Sequence, residues 1–182
     1  MFIKVAPTYY QPVIRREGDH EVLDCIRWGI RFNTTNVINT RSDSLEKPFW
    51  TSKKRCVVLC QGYYEWSDSP HYISKSDQLL YLAALYSEPK NDYYGYTIVT
   101  MDASPEVAKV HSRMPLILKS RNQVDSWVNN EISIENIQLL AGLSVIEVSK
   151  AVNKVGNNSS SCIKPVKGKT LITDFFKPTT KF

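Results

Sequence analysis

The chain has 182 residues, 42% of them hydrophobic, which predicts one globular domain with an adequate core. No apolar run reaches membrane-spanning length and no signal-peptide core follows Met1, so we expect an intracellular protein without a membrane partner. The formal net charge is +5, but five lysines and one aspartate after residue 163 supply most of it. This distribution excludes a uniformly basic nucleic-acid-binding body, and any such site must be a local cluster of charges.

The first third of the chain predicts short strands joined by turns. Residues 1–7 resemble the end of a strand stopped by proline, and residues 12–16 and 22–30 predict a hairpin with a turn at 17–19. Trp28, near the end of this hairpin, is either a platform for an unstacked base or a core tryptophan. A loop is predicted over 33–36, and Ser44 is the predicted N-cap of a short helix.

Asn39 and Arg41 stand two positions apart on a predicted extended segment, so their side chains point to the same face. An amide and a guanidinium on one face can hold a phosphate or a sugar hydroxyl. The alternative is an asparagine turn with a surface ion pair between Arg41 and Asp43.

The central stretch is RCVVLCQGYYEW, residues 55–66. It predicts a strand over 56–60 that is buried on both faces, followed by an aromatic strand that carries Glu65. A carboxylate with poor access to water keeps its proton more readily, so Glu65 is a candidate proton carrier. The alternative is a solvent-facing glutamate on a strand whose aromatic residues point the other way. Cys56 and Cys60 are predicted to be reduced core residues on one face of their strand, and the cysteine spacing predicts no metal site.

The second half adds further strands over 72–74, 79–86, 94–101 and 143–148. A helix capped by Ser104 is predicted to deliver His111, and further helices are predicted over 123–128 and 134–140. His111 is either a structural histidine or a group that exchanges a proton near neutral pH. Together these elements predict a β-rich α+β fold, with a curved or barrel-like, mostly antiparallel sheet and a few short helices.

After Val166 the composition changes to lysine, threonine, proline and glycine, which predicts a disordered basic tail over 167–182. Within it, Ile172, Phe175 and Phe176 can form one apolar plug on a helical turn. This pattern resembles the PIP box, a peptide that docks on the replication sliding clamp, with Lys169 in place of the usual glutamine. The alternative is a hydrophobic tail with no partner.

Four segments occur in an order that resembles one protein family. They are NVINTRSDS at 36–44, GYYEW at 62–66, VHSRMPLIL at 110–118 and VSKAVNKVGNNSSSCIKPV at 148–166. Together they resemble the SRAP family, the SOS-response-associated peptidase domains that shield abasic sites in single-stranded DNA. The resemblance implies an SRAP domain over 1–166 that acts as a monomer in the nucleus without a cofactor.

The resemblance also implies roles for individual residues. Glu65 and His111 would carry protons, and Asn39 would hold the reactive centre. Arg41 would contact DNA phosphate, and Trp28 and Arg113 would also lie against the DNA.

In the family, an N-terminal cysteine exposed by methionine removal forms a thiazolidine with the abasic-site aldehyde and removes short N-terminal extensions. Phe2 is the second residue here, and Lys4 stands where the family has asparagine. We therefore expect a domain without the family's N-terminal segment, which binds DNA without a stable crosslink. Either the start of the sequence is misplaced or the chain is a degenerate paralogue. The rival interpretation is a non-catalytic adaptor that binds DNA or the clamp.

Overall fold

A computed structural model describes residues 4–76, 78–88 and 94–166. The strands are β1 (Tyr10–Glu17), β2 (His20–Trp28), β3 (Ile30–Phe32), β4 (Thr35–Val37), β5 (Asn39–Arg41), β6 (Lys54–Cys60), β7 (Gly62–Trp66), β8 (Pro70–Ser74), β9 (Leu80–Tyr86), β10 (Gly95–Asp102), β11 (Arg113–Pro115), β12 (Ile117–Leu118) and β13 (Ser144–Glu147). The helices are α1 (Pro48–Thr51), α2 (Arg121–Val128) and the 3-10 turns Ser42–Ser44, Ile134–Asn136, Lys150–Asn153 and Ser160–Ile163. No helix in the described ranges is long and apolar enough to cross a membrane. The predicted tail, with Ile172, Phe175 and Phe176, lies outside these ranges.

Five strands close into a barrel. Strand β10 pairs with β2, β2 with β1, β1 with β6, β6 with β9, and β9 returns to β10. Parallel pairing occurs where β10 meets β2 and β5, and the other described strand pairs are antiparallel. Closure leaves no open edge among these five strands. The β-rich fold with a barrel-like, mostly antiparallel sheet is therefore confirmed.

The barrel strands β6, β9 and β10 are largely buried on both faces because they separate two apolar clusters. One cluster, here called the inner core, receives side chains from all five barrel strands, among them Val13, Ile26, Val58, Leu82 and Ile98. The other, here called the outer core, lies between the barrel and α2 and includes Val57 and Trp127. Residues 56–58 alternate between the two clusters and are fully buried, which confirms the buried strand predicted over 56–60.

A second sheet of three strands, in the order β7-β8-β13, lies beside the barrel. Tyr63, Ile73 and Val145 are paired across it and pack against the inner core. The next row, Tyr64, Tyr72 and Ile146, faces the other way and covers a small cluster formed by Val148, Val152 and Cys162. Odd-numbered positions of β7 therefore face the barrel, and even-numbered positions face away from it.

Two segments of the first half differ from their predictions. Residues 33–36 are not all loop, because β3 and β4 form a hairpin whose turn begins at Asn33 with a φ of 53°. Ser44 caps no helix. It ends a 3-10 turn, and α1 begins at Pro48 because a proline at the first helical position is preorganised for helix and needs no N–H partner.

Two predicted helices of the second half are absent. Residues 105–110 form consecutive turns, in which the backbone hydrogen bonds alternate between i→i−4 (Ala108 to Ser104) and i→i−3 (Val110 to Val107) and do not build a regular helix. Over 134–140 only the 3-10 turn Ile134–Asn136 is present. The chain then runs extended to Leu139, which bridges to Leu118, so sheet contacts override the helical pattern. Helix α2 is present, with Val124, Trp127 and Val128 buried on one face as predicted.

Candidate active site

Glu65 lies on the barrel-facing side of β7 and is half-buried. Burial raises its pKa above the ordinary value of 4.5, while the charge of His111 and the backbone N–H of Trp66 act in the opposite direction. Tyr64 and Trp66 do point to the other face, as the alternative interpretation required, but the carboxylate itself is not solvent-facing. Glu65 thus keeps a proton to higher pH than an exposed glutamate would.

Gly62 allows β7 to approach β8 closely. A Cβ at this position would lie 2.5 Å from the carbonyl oxygen of Ile73 and 2.5 Å from the ring of Tyr72, so only glycine permits this approach of the two strands. Cys60, just before the turn, accepts a hydrogen bond from the backbone of Gly62, yet burial raises its pKa to about 12. Its thiol is therefore protonated at neutral pH and is a core group.

His111 follows the turns after β10, and its charge acts on Glu65. Its exposed ring is held by Arg113, because Nδ1 lies 2.9 Å from the carbonyl oxygen and 3.1 Å from the amide nitrogen of that residue. A protonated Nδ1 donates to the carbonyl, and an unprotonated Nδ1 accepts from the amide, so the ring has a partner in either state. Glu65 and His111, from distant segments, are thus brought within electrostatic reach of each other.

Asn39 and Arg41 lie on β5, which runs parallel to β10 with Asn39 opposite Ile98 and Arg41 opposite Thr100. Both are exposed and Thr40 between them is buried, so they share one face as expected. On the other side of β10, Arg113 pairs with Asp102 in the register of β11. Asn39, predicted to hold the reactive centre, and Arg41 and Arg113, predicted to contact DNA, therefore flank the C-terminal part of β10.

Each of the two arginines has an acidic partner. Arg41 makes a two-nitrogen contact with Asp43, whose pKa is lowered to about 2, first by this hydrogen bond and also by the charge of Arg113. Arg113 donates to the carboxylate of Asp102 at 3.1 Å and to the carbonyl of Thr100 at 2.7 Å. The Arg41–Asp43 surface pair, the alternative to a phosphate contact, is thus present. A phosphate at Arg41 would have to displace Asp43.

Replacing Asp43 with asparagine is expected to tighten binding to single-stranded DNA by about two- to fivefold, the size of an exposed ion pair. The variant removes the carboxylate that competes with phosphate for Arg41. Fluorescence anisotropy at two salt concentrations measures this change. Glu88→Gln is the matched control, because Glu88 forms a similarly exposed pair with Lys54. Unchanged affinity in Asp43→Asn would mean that Arg41 does not meet a phosphate.

Trp28 is half-buried and tied to the protein on two sides. Its indole N–H donates to the carbonyl of Ile38 at 2.9 Å, and its ring lies parallel to that of Tyr96 with centroids 6.5 Å apart. These contacts fit a core tryptophan, and a role as a base platform stays a prediction.

The next residue, Gly29, has a φ of 126°, and a Cβ there would lie 2.2 Å from the side-chain oxygen of Asn36.

Lys4 contacts the last of the four motifs, residues 148–166, directly. The Lys4 backbone N–H donates to the side chain of Asn158 at 2.8 Å, and its ammonium donates to the carbonyl of Val152 at 2.6 Å. Asn157 donates to the carbonyl of Ala151 at 2.9 Å. Asn157 thus holds a turn of this segment, and Asn158 connects the segment to Lys4.

Sequence reasoning missed two residues of this region. Asp102 neutralises Arg113, and His71 lies directly opposite Glu65 in the pairing of β7 with β8. Neither has a local signal, because cross-strand partners are set by register and not by sequence distance.

Several known proteins are similar in sequence to this chain. The sequence model of the family described as SOS response associated peptidase (SRAP) matches residues 3–155. Abasic site processing protein YMR114C of Saccharomyces cerevisiae is 30% identical over 89% of this chain and 52% of its own length. Abasic site processing protein HMCES of Xenopus tropicalis is 29% identical over 82% and 59%. Abasic site processing protein YedK of Escherichia coli is 27% identical over 89% and 83%.

The chain thus spans somewhat more than half the length of the yeast and frog proteins. The family match, in contrast, extends from before β1 to the 3-10 turn after β13 and includes Asn39, Arg41, Glu65, His111 and Arg113. With a match over most of its length, the chain belongs to the SRAP family.

Proposed function

We propose that this chain recognises abasic sites in single-stranded DNA and that Glu65 and His111 handle protons at the sugar aldehyde. The observation that carries this proposal is a half-buried carboxylic acid with a raised pKa within electrostatic reach of an exposed imidazole. The relatives support it, because they are named abasic site processing proteins. Arg41 and Arg113 would meet the phosphates on either side of the missing base, and Trp28 would meet a neighbouring base.

The proton steps follow from the chemistry of an aldehyde and an amine. In the cysteine-bearing form, the α-amine nitrogen would bond to the carbonyl carbon and lose a proton, and the carbonyl oxygen would take up a proton to give a carbinolamine. This intermediate then loses its hydroxyl as water, which requires a second proton, and an imine remains. Glu65 in its acid form supplies a proton to the departing oxygen, His111 accepts the proton of the amine, and Asn39 orients the reacting centre. General acid–base catalysis of this kind contributes about 10²- to 10⁴-fold in rate.

A stable thiazolidine requires an amine and a thiol on one N-terminal cysteine. Phe2 cannot supply the thiol, and Cys56 is fully buried with its pKa raised well above the ordinary range. The Lys4 ammonium already donates to the carbonyl of Val152. We therefore assign the stable linkage to an N-terminal cysteine and not to Cys56 or Lys4. Crosslinking, and the associated removal of N-terminal extensions, belong to a form that carries an N-terminal cysteine.

The test uses single-stranded DNA with one abasic site and an intact strand of the same sequence. We expect tighter binding to the abasic strand, and no band that survives a denaturing gel without borohydride. Adding an N-terminal segment that begins Met-Cys should produce such a band. Equal affinity for both strands, together with no band from the cysteine-bearing form, would overturn the proposal. A reductant-independent band from the present chain would overturn the assignment of the linkage to an N-terminal cysteine.

We also propose that Ile172, Phe175 and Phe176 dock on the replication sliding clamp, which would place the protein in the nucleus. The sequence pattern of the tail supports this proposal. The double variant Phe175→Ala, Phe176→Ala should lose clamp binding and keep its affinity for abasic DNA. Clamp binding that survives in the variant would point instead to an adaptor surface on the folded domain.

A further inference from the structure

Three aromatic rings, here called the aromatic step (Phe32, Phe49 and Trp50), join the β3–β4 hairpin to α1. The ring centroids of Phe32 and Phe49 lie 4.5 Å apart in an edge-to-face contact, and those of Phe49 and Trp50 lie 4.6 Å apart in another. Trp50 packs in turn against the outer core. Phe32 is thus anchored to the packed interior through two ring contacts.

Phe32 is the exposed member of the aromatic step. It is 44% exposed, whereas Phe49 and Trp50 are half-buried. Trp28, the predicted base platform, is also half-buried, and its ring is already in contact with Ile38 and Tyr96. Of the two candidates, Phe32 therefore offers the more accessible ring to a ligand.

The chain around the aromatic step is basic. Residues 30–37 and 44–53 contain three cationic side chains and one carboxylate. The cations are Arg31, Lys47 and Lys53, and the carboxylate is Glu46. The Lys53 ammonium lies 4.4 Å from the ring centroid of Phe49 and donates to the hydroxyl of Ser52 at 3.2 Å, so neither contact neutralises its charge. Aromatic rings among cations are typical of surfaces that bind single-stranded nucleic acid.

The aromatic step lies along one extended run with the residues predicted to meet the abasic site. Strands β4 and β5 are separated only by Ile38, whose carbonyl accepts from the N–H of Ile98 at 3.0 Å, so the run continues beside β10. Thr35 and Asn39 are four positions apart and share a face, and Phe32 stands opposite Thr35 in the hairpin. At about 3.3 Å per residue, Phe32 therefore lies about 13 Å along the run from Asn39.

We propose that Phe32 is a stacking platform for a base of single-stranded DNA beside the abasic site. The base would lie on the exposed part of the ring, and Arg31, Lys47 and Lys53 would attract the neighbouring phosphates. Stacked nucleotides rise about 3.4 Å each, so a strand with its abasic sugar at Asn39 would reach Phe32 within about four nucleotides. This placement of the sugar rests on the proposed function, whereas stacking itself requires only an unpaired strand.

The test varies the arms of the DNA on the two sides of one abasic site. Three single-stranded oligonucleotides carry six nucleotides on both sides, or one on the 5′ side and six on the 3′ side, or the reverse. Fluorescence anisotropy measures their affinity for the full chain. We expect Phe32→Leu to weaken binding of the strand with two long arms by about five- to 100-fold, the effect of losing one stacked base. On one of the two strands with a shortened arm, which no longer reaches the ring, the variant should have no effect.

Two comparisons separate stacking from folding and from charge. Leucine keeps an apolar contact with Phe49 but lacks the ring, so the melting temperature of Phe32→Leu should stay close to that of the native chain. Lys53→Gln should reduce the slope of log affinity against log salt by about 0.7, the value for one phosphate contact on a single strand. Lys54→Gln is the matched control, because Lys54 is paired with Glu88.

Unchanged affinity of Phe32→Leu for the strand with two long arms would overturn the inference. An equal loss on all three strands would also overturn it, because the effect would then lie at the abasic site or in the fold. If the native chain binds abasic and intact strands equally well, the proposed function is overturned. A loss of affinity of Phe32→Leu for both of those strands would still uphold the platform.

Discussion

Replacing Glu65 with glutamine is expected to slow abasic-site crosslinking by the cysteine-bearing form by about 10²- to 10⁴-fold. The same change should raise the melting temperature of the protein at pH 7. Activity falls because glutamine cannot donate a proton to the departing oxygen. Stability rises because glutamine carries no charge in a half-buried position where burial raises the pKa of the native carboxyl.

The pH dependence of the stability sets the sign of the expected change in melting temperature. Because the pKa of Glu65 in the folded protein lies above its ordinary value of 4.5, the folded state binds the proton more tightly than the unfolded state does. The resulting stabilisation is complete below pH 4.5 and is lost as the pH rises through the raised pKa. Thermal unfolding of both proteins from pH 4 to 8 should therefore show similar melting temperatures in acid and a growing advantage of the variant towards neutral pH.

An exposed glutamate supplies the control for both readouts. Glu131 follows α2 and is exposed, so Glu131→Gln should change neither the crosslinking rate nor the pH profile of stability. A melting temperature of Glu65→Gln below that of the native chain at pH 7 would contradict the prediction. It would mean that hydrogen bonds to the ionised carboxylate outweigh its desolvation.

Trp127→Ala is expected to cost about 3–5 kcal/mol of the free energy of unfolding, which is a large part of the total for an ordinary domain. Trp127 is fully buried in the outer core, where it joins α2 to the barrel. Its indole N–H donates to the carbonyl of Cys56 at 2.9 Å, and the guanidinium of Arg55 lies 4.1 Å from its ring centroid. Truncation leaves a cavity between helix and barrel and removes all of these contacts.

Urea unfolding at pH 7 measures the loss, and two further variants separate its causes. Trp127→Phe keeps most of the packing but removes the N–H donor, so its loss should be smaller than that of the alanine variant. Trp66→Ala is the matched control, since Trp66 is 45% exposed and makes one side-chain hydrogen bond, to Asn153. We expect a loss of about 1 kcal/mol there. Equal losses in Trp127→Ala and Trp66→Ala would show that α2 does not anchor the barrel.

The sequence alone determined the elements whose signal is local. Periodicity and residue type within a few positions predict three elements. They are the apolar strand β6, the aromatic strand β7 and the helix α2, which has Trp127 on its buried face. The sequence also identified the SRAP family. The four motifs in this order are specific to the family, whereas each motif alone is not. The same-face placement of Asn39 and Arg41 needed nothing more than the period of an extended strand.

Only the tertiary structure decided what depends on distant contacts. Closure of the barrel requires β10 to pair with β2 and β9, and the sequence gives no local sign of those partners. Segments 105–110 and 134–140 have helical patterns, yet the first forms turns with mixed hydrogen bonding and the second is held by the bridge of Leu139 to Leu118. The burial of Glu65 and the position of His71 opposite it likewise follow from register. The physical reason is that a local pattern fixes which way a side chain points, while its neighbours are fixed only when remote strands come together.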